Sequence, residues 1–372
     1  MTPGTRTAPT RHRSERGGVL ARVLILAVVG LATALFGARL WIQKELNRPF
    51  RGFASDSVTV EVPAGASGRS ILAQLEARGV IRDARFARWV YRFRFGDAPL
   101  RSGEYRFTDA STVERVLQVL IRGEVVRHPV TIPEGWDLAE IARHLTAQGF
   151  GAESAFRRAM EDPTAIRDLD PRATSLEGYL FPETYFFERG ASEQEIVAAL
   201  VQAFRVRYRE QIAPLRPWPT ELSDLRALVA LASLVEKESS APQERPLVAG
   251  VYTRRLRTGM LLQADPTVVY AKKLRGTWDG NLRRDDLRLD DPYNTYRTPG
   301  LPPGPICSPG LESLIAAARP RDEGFLYFVS RNDGTHVFAA TLSEHNANVL
   351  EWQKRYWQRR AASRSGPAGP TE

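Results

Sequence analysis

The chain has 372 residues, 43% of them hydrophobic and 26% charged, enough for two or three folded units of ordinary globular composition. A net charge of +9 and a pI near 9.9 suit a polyanionic neighbour (nucleic acid, anionic lipid or an acidic wall polymer) without choosing among them. Charge alone supports nucleic acid, because there is no aromatic-rich RNP sequence, no Cys/His finger spacing and no heptad-backed basic region, so no nucleic-acid partner is expected. The single cysteine, Cys307, excludes an intrachain disulfide and reads as a small buried apolar residue. The five histidines are scattered with no His-Glu-x-x-His pair, so no metal is expected. No P-loop, G-x-G-x-x-G or Ser-x-x-Lys occurs, which sets aside phosphate-loop and penicillin-binding-type acyl-transfer chemistry.

Residues 1–18 form a basic tail, with Arg6, Arg11, Arg13 and Arg16 against Glu15. Val19–Ile42 carries no charge apart from Arg22 and Arg39 near its ends, where long side chains snorkel to the interface. About 20 apolar residues span a bilayer, so 19–42 is expected to be a single transmembrane helix. The positive-inside rule puts the N-terminus in the cytoplasm and the rest outside the inner membrane, with Trp41 at the outer interface. The alternative is a signal peptide cleaved at Ala32–Ala34; it leaves a short apolar region, and the run continues past it. Length favours the uncleaved anchor.

Residues 43–56 read as a linker and 57–150 as a membrane-proximal α+β region. Val58–Ile81 alternates like a strand, turns at Pro63–Gly65, and then shows helical spacing at Ile71, Leu72 and Leu75 with a stop at Gly79. The same phrase returns in Val130–Phe150: Val62, Pro63, Gly65, Ile71, Leu75 and Gly79 align with Ile132, Pro133, Gly135, Ile141, Leu145 and Gly149 without a gap. Two strand–turn–helix units in one register predict a duplicated module. Between them a strand is expected at Gly103–Phe107 and a helix at Val113–Arg122, opened by a Ser111-x-x-Glu114 capping box. The second unit resembles a LysM-type fold, which often holds glycan; a spacer is the equal alternative. Residues 151–175 read as a polar, irregular connector, 176–355 as a catalytic domain, and 356–372 as a disordered tail rich in Pro, Gly and Ser. The fold class is therefore α+β, with a transmembrane helix, a small LysM-like β/α module and a C-terminal α+β domain.

The sharpest chemical feature is Ser233–Ser239, SLVEKES, closing a run, Leu225–Val235, broken only by Arg226 and Ser233. On a helix, Glu236 and Glu238 lie about 200° apart, so they cannot share one cleft. Glu238 extends the stripe of Val235, Leu234 and Leu231, while Glu236 follows the smaller Ser233, Ala232 and Val229. Glu238 thus sits where the buried face meets the helix end. Partial burial raises a carboxyl pKa, and a carboxylic acid still protonated near neutrality is what glycosidic cleavage needs. The plain alternative is a solvated helix end paired with Lys237 or Arg245.

Other phrases carry the right residue types for a sugar site. Leu176–Phe187 packs Tyr179, Phe181, Tyr185, Phe186 and Phe187 around Glu177 and Glu183; aromatics stack on sugar rings but serve as core more often. Leu261–Tyr270 holds Gln263 and Asp265, and Asp290–Gly310 holds Asn294, Tyr296 and a rigid Pro/Gly segment able to wall a groove. Phe325–Asn346 reads as a hairpin turning at Asn332–Asp333–Gly334.

Taken in order, EGYLFPETY, ASLVEKES, RRLRTGMLLQADPTVVY, YNTYRTPGLPPGPICSPG and FVSRNDGTHVF closely resemble the endolytic murein transglycosylases, the YceG-like family. The resemblance covers nearly all of the chain beyond the anchor. It implies an inner-membrane, periplasm-facing enzyme that cleaves nascent peptidoglycan strands between N-acetylmuramic acid and N-acetylglucosamine, forms 1,6-anhydro ends and stops elongation. It implies no cofactor, and its partners would be glycan strands, the cytoplasmic membrane and peptidoglycan synthases. The second glutamate of the family's Glu-Lys-Glu motif is the catalytic one, here Glu238. Glu183, Gln263, Asn294 and Tyr296 are candidates for binding sugar, with Glu236 and Tyr179 in support. Two rivals stay open: a hydrolase of the same bond, with Glu183 or Asp265 as second carboxylate, and a non-catalytic wall-binding scaffold.

Overall fold

The computed structural model describes residues 15–239 and 241–355, with side chains from residue 21 onward. The basic tail before residue 15 and the tail 356–372 lie outside the described residues. The chain divides into two compact units between Val126 and Arg127.

The first unit opens with α1 (Glu15–Leu46), whose Ala21–Leu46 stretch holds an 18-residue window of mean hydropathy 2.2 with no buried residue. Among the described residues it is the one helix long and apolar enough to cross a membrane. Next come β1 (Val58–Val62), α2 (Gly68–Ala77), α3 (Ala84–Phe95), β2 (Gly103–Phe107) and α4 (Val113–Arg122). β1 and β2 pair antiparallel, Val60 opposite Tyr105. A lone two-stranded sheet is marginal in water, and this one is supported by the helices. Ile71, Leu72 and Leu75 of α2 and Val116, Leu117 and Leu120 of α4 close one core over Val60, Val62 and Tyr105. The predicted capping box is absent: Thr112 is the N-cap of α4, accepting from the Arg115 N–H, while Ser111 exchanges backbone hydrogen bonds with Phe50. The Ser111 hydroxyl donates instead to the Asp109 carbonyl, and the helix starts one residue later than the sequence pattern suggests.

The second unit contains β3 (His128–Thr131), α5 (Leu138–Ala147), α6 (Glu153–Glu161), β4 (Thr184–Phe187), α7 (Glu193–Arg207), α8 (Leu225–Glu238), α9 (Arg245–Arg257), α10 (Asp265–Leu274), α11 (Leu311–Ala318), β5 (Tyr327–Ser330), β6 (His336–Ala339) and α12 (Leu342–Val349). β3 pairs antiparallel with β4 across the intervening helices, and β5 with β6 as a hairpin, forming two further separate two-stranded sheets. The architecture is mixed α+β, mostly helical. Residues 153–166 are not irregular: α6 and a following 3-10 turn bury Phe156, Met160 and Ile166 in the main core. Two apolar residues four apart suffice to give this polar stretch a buried face.

The internal repeat is visible in the backbone. β1–α2 and β3–α5 match element for element; Gly65 and Gly135 both turn at positive φ (75° and 77°), as do the stops Gly79 and Gly149 (70° and 83°). Ile71 and Leu75 are buried like Ile141 and Leu145. The copies belong to different units, however. The second contributes Val130, Ile132, Ile141 and Leu145 to the core around α8.

Candidate active site

α8 starts at Asp224, whose carboxylate accepts from the Ala227 N–H at 3.0 Å, a standard N-cap. From Leu228 to Val235 it is buried on every face, so its end is held rigidly. Arg226 does not break that burial: it pairs with Asp170 at 3.0 Å and donates to the Pro303 carbonyl. Ser239 leaves the helix in extended conformation (φ −119°), three residues before Pro242.

The two glutamates point to different partners. The Glu236 carboxylate, buried, takes the Arg245 guanidinium at 3.1 Å and the Gly310 N–H at 2.9 Å, one on each oxygen. Arg245 also reaches Glu134, whose carboxylate lies against Gly310 and would have to swing aside for a side chain there. Lys237 donates to the Gly135 carbonyl at 3.1 Å. Gly135 and Trp136 in turn exchange backbone hydrogen bonds with Ser308. The Pro/Gly segment is thus laced to the end of α8, with Cys307 buried beneath it.

Glu238 is half-buried and faces α9 and α10. Burial of its carboxyl group pushes the pKa up to about 7; a hydrogen bond from the Tyr252 hydroxyl pulls the other way, the Asp265 carboxylate adds to the rise, and Arg255 opposes it. Two of these come from α9, at i and i+3 on one face. Tyr252 is 1% exposed. Arg255 is committed elsewhere, donating to the carbonyls of Leu326 at 2.8 Å and Leu262 at 2.7 Å. Its charge acts on Glu238 while its hydrogens hold two loops.

Asp265 begins α10 and accepts the Tyr296 hydroxyl at 2.6 Å. Their two loops are sewn together: Gln263 N–H donates to the Thr295 carbonyl at 3.1 Å, and the Thr295 hydroxyl binds both the Ala264 N–H and Thr267 at 3.0 Å. Gln263 holds φ +52°, unusual for a side-chain-bearing residue, and is exposed. Asn294 is fully buried: its amide donates to Leu287 and Leu289 carbonyls, and its oxygen accepts the Tyr296 N–H at 3.0 Å. Its side chain shapes the loop that presents Tyr296. A cavity of about 190 Å³ opens beside Asp265, between Gly135, Lys237 and the Val269, Tyr270 and Lys273 face of α10.

Two other candidates lie apart from this cluster. Glu183 is exposed before β4 and pairs with Arg207 at 3.2 Å. Tyr179 is core, its hydroxyl bonded to Asp170 at 2.7 Å and its ring edge-on to Phe204. Glu177 is a second carboxyl with a raised pKa: burial, with Asp137 nearby, pushes it up to about 8. It is 6% exposed and bonded to the Tyr270 hydroxyl and the Leu138 N–H. Burial raises both acids, but Glu238 alone keeps intermediate exposure.

The family model described as YceG-like matches residues 60–351, most of the chain. This protein belongs to the YceG-like family. Proteins named endolytic murein transglycosylase are similar to it: one from Bacillus subtilis (strain 168) is 28% identical over 84% of this chain and 89% of its own length. Another, from Streptococcus pneumoniae serotype 2 (strain D39 / NCTC 7466), is 28% identical over 90% of this chain, which spans 64% of that relative. A YceG-like protein of Listeria monocytogenes, known from a crystal structure, superposes with a TM-score of 0.52 at 31% identity, covering 78% of this chain and 98% of its own.

Within this YceG-like chain, sequence reasoning overlooked Tyr252 and Arg255. Tyr252 looks like core, and Arg255 is one of three arginines in Arg254–Arg257. The available signal was an arginine three residues after a tyrosine on a helix otherwise buried there. Among the described residues, no three His, Cys, Asp or Glu side chains are grouped to hold a metal ion.

Proposed function

We propose that this YceG-like protein is a membrane-anchored endolytic lytic transglycosylase of peptidoglycan. The observation that carries the reading is Glu238, a half-buried carboxyl whose pKa of about 7 keeps much of it protonated at neutral pH, beside a buried phenol. The names of the bacterial relatives supply the substrate class. α1 is the anchor, N-terminus inside, and the remainder works outside the cytoplasmic membrane, where peptidoglycan synthases are the expected neighbours.

In this mechanism Glu238 donates its proton to the oxygen joining N-acetylmuramic acid to N-acetylglucosamine. The bond to C1 breaks, and Tyr252 steadies the carboxylate by hydrogen bonding. Glu238 then accepts the proton of the muramic C6 hydroxyl as that oxygen attacks C1. A 1,6-anhydro ring forms, no water is consumed, and the acid is regenerated. Intramolecular attack removes the need to hold a water molecule, so one carboxyl serves both steps. Asp265 and Tyr296 border the site and Gln263 lies exposed on the Asp265 loop; these bind the sugars, Asn294 supports Tyr296, and Glu236 holds the Pro/Gly wall.

Asp265 gives the hydrolase reading its one specific support, as a second carboxylate near Glu238. Mass spectrometry of uncrosslinked glycan strands incubated with the protein separates the two. Internal fragments ending in 1,6-anhydro-muramic acid, lost in Glu238→Gln, are the expected result. Reducing ends would make the protein a hydrolase, and uncleaved strands would leave a scaffold.

A further inference from the structure

The first unit carries a row of aromatic rings that its core does not use. α3 reads ARFARWVYRFRF; its inner face, Ala87, Val90 and Tyr91, packs on the unit's core. Phe86, Trp89 and Phe93 lie at i, i+3 and i+7 on the outer face, with Trp89 41% and Phe93 70% exposed. The rings touch in sequence, Phe86 stacked on Trp89 at 6.1 Å and Trp89 tilted against Phe93 at 5.3 Å. The row starts on α1 itself, for Trp41 meets Phe86 edge-on at 5.9 Å.

Two contacts fix the direction of the row. Arg82 pairs with Glu45 at 3.2 Å, and Phe86 meets Trp41. Moving forward from 82 to 86 therefore moves back along α1 from 45 to 41, toward its apolar span. Trp89 and Phe93 follow in the same helix. Exposed Arg85, Arg88 and Arg92 flank the rings and have no ion-pair partner among the described residues.

We propose that the outer face of α3 is a membrane-surface anchor that rests among anionic lipid headgroups, with Trp89 and Phe93 at the acyl boundary and the arginines on the phosphates. The inference rests on the reading of α1 as a transmembrane anchor. Tryptophan and phenylalanine favour that depth, and basic flanks suit an anionic surface. Continuity with Trp41 distinguishes this surface from a glycan-stacking platform, which would need no link to the apolar span.

The test uses the full chain in lipid nanodiscs. Cys307 is fully buried, so single cysteines introduced by Leu31→Cys, Glu76→Cys, Trp89→Cys and Phe93→Cys can each carry a nitroxide. Collision with oxygen against a water-soluble nickel chelate reports depth. Positions 89 and 93 should show an oxygen-to-nickel ratio several-fold above position 76, with position 31 deepest. In discs of anionic lipid, Arg88→Glu with Arg92→Glu should return the position-93 label toward water. A lipid-buried label at 31 with water-exposed labels at 89 and 93 overturns this inference and leaves the anchor intact. A water-exposed label at 31 overturns the anchor reading itself. Equal depth in zwitterionic and anionic discs removes the arginine part, and shielding of 89 and 93 only on adding glycan strands makes the face a sugar platform instead.

Discussion

Two sides of the same helix end treat a carboxylate in opposite ways. Glu236 and Glu238 both leave the apolar run of α8, two residues apart. On one side, both Glu236 oxygens are taken by Arg245 and Gly310, and the ion pair ties α8 to α9 and to the Pro/Gly segment. On the other, Glu238 has a phenol for a hydrogen-bond partner, and Arg255 spends donors on Leu326 and Leu262 carbonyls. Desolvation then outweighs the nearby cation, and the proton is held. Burial alone does not decide whether a glutamate braces a wall or works as an acid; how many donors are left for it does.

Breaking the working side has the largest expected effect. Glu238→Gln should lower the rate of glycan cleavage by ~10³-fold or more with no loss of thermal stability, read by product assay and calorimetry on one preparation. Breaking the bracing side should do the reverse. Glu236→Gln leaves Arg245 poorly compensated and should cost about 3–5 kcal/mol of unfolding free energy by denaturant titration, with activity per folded molecule largely retained. Loss of activity without loss of stability in that variant would mean the two sides are not separate.

Acidity gives a finer contrast. The folded pKa of Glu238, about 7, lies above its ordinary 4.5, so the folded state holds the extra proton between these values. Its contribution is most favourable below pH 4.5, declines as pH rises through 4.5 to 7, and stays low above that. Unfolding free energies across that window should therefore show Glu238→Gln gaining about 1–3 kcal/mol on the wild type by pH 8. The smallest effect belongs to Tyr252→Phe. Without the hydroxyl, the carboxylate form loses a hydrogen bond, the pKa rises further, and the alkaline limb of the pH–rate profile should move to higher pH with a roughly 10-fold lower rate. An unmoved limb would mean that Tyr252 does not act through Glu238.

The opposed directions of the two glutamates were readable from helical period, because α8 is regular and buried to its last turn. The strand–turn–helix repeat was readable for the same reason: glycines at positive φ and apolar positions recur in register. What periodicity cannot convey is which distant carbonyl claims a polar side chain. Asn294 and Tyr179 look like sugar contacts in sequence, yet Leu287, Leu289 and Asp170 occupy them. The expected boundary near residue 150 met the same limit, since a module's pattern does not name the core it joins. Tyr252 and Arg255 escaped because their partner arrives from α8 through packing alone.

The second strand–turn–helix differs from the first where it faces this core. Ala64, Ser67 and Ser70 of the first copy correspond to Glu134, Asp137 and Glu140 of the second. Those three acids reach Arg245 and Lys273: Glu134 meets Arg245 at 3.3 Å, while Asp137 and Glu140 hold the Lys273 ammonium at 2.7 and 2.8 Å. A fragment excised at residue 151 would strip Lys273 of both its counter-charges, remove one of the two carboxylates on Arg245 and leave the rim of the site less braced. The compact unit that keeps these acids begins at Arg127, so the copy resembling a detachable accessory belongs with the candidate site.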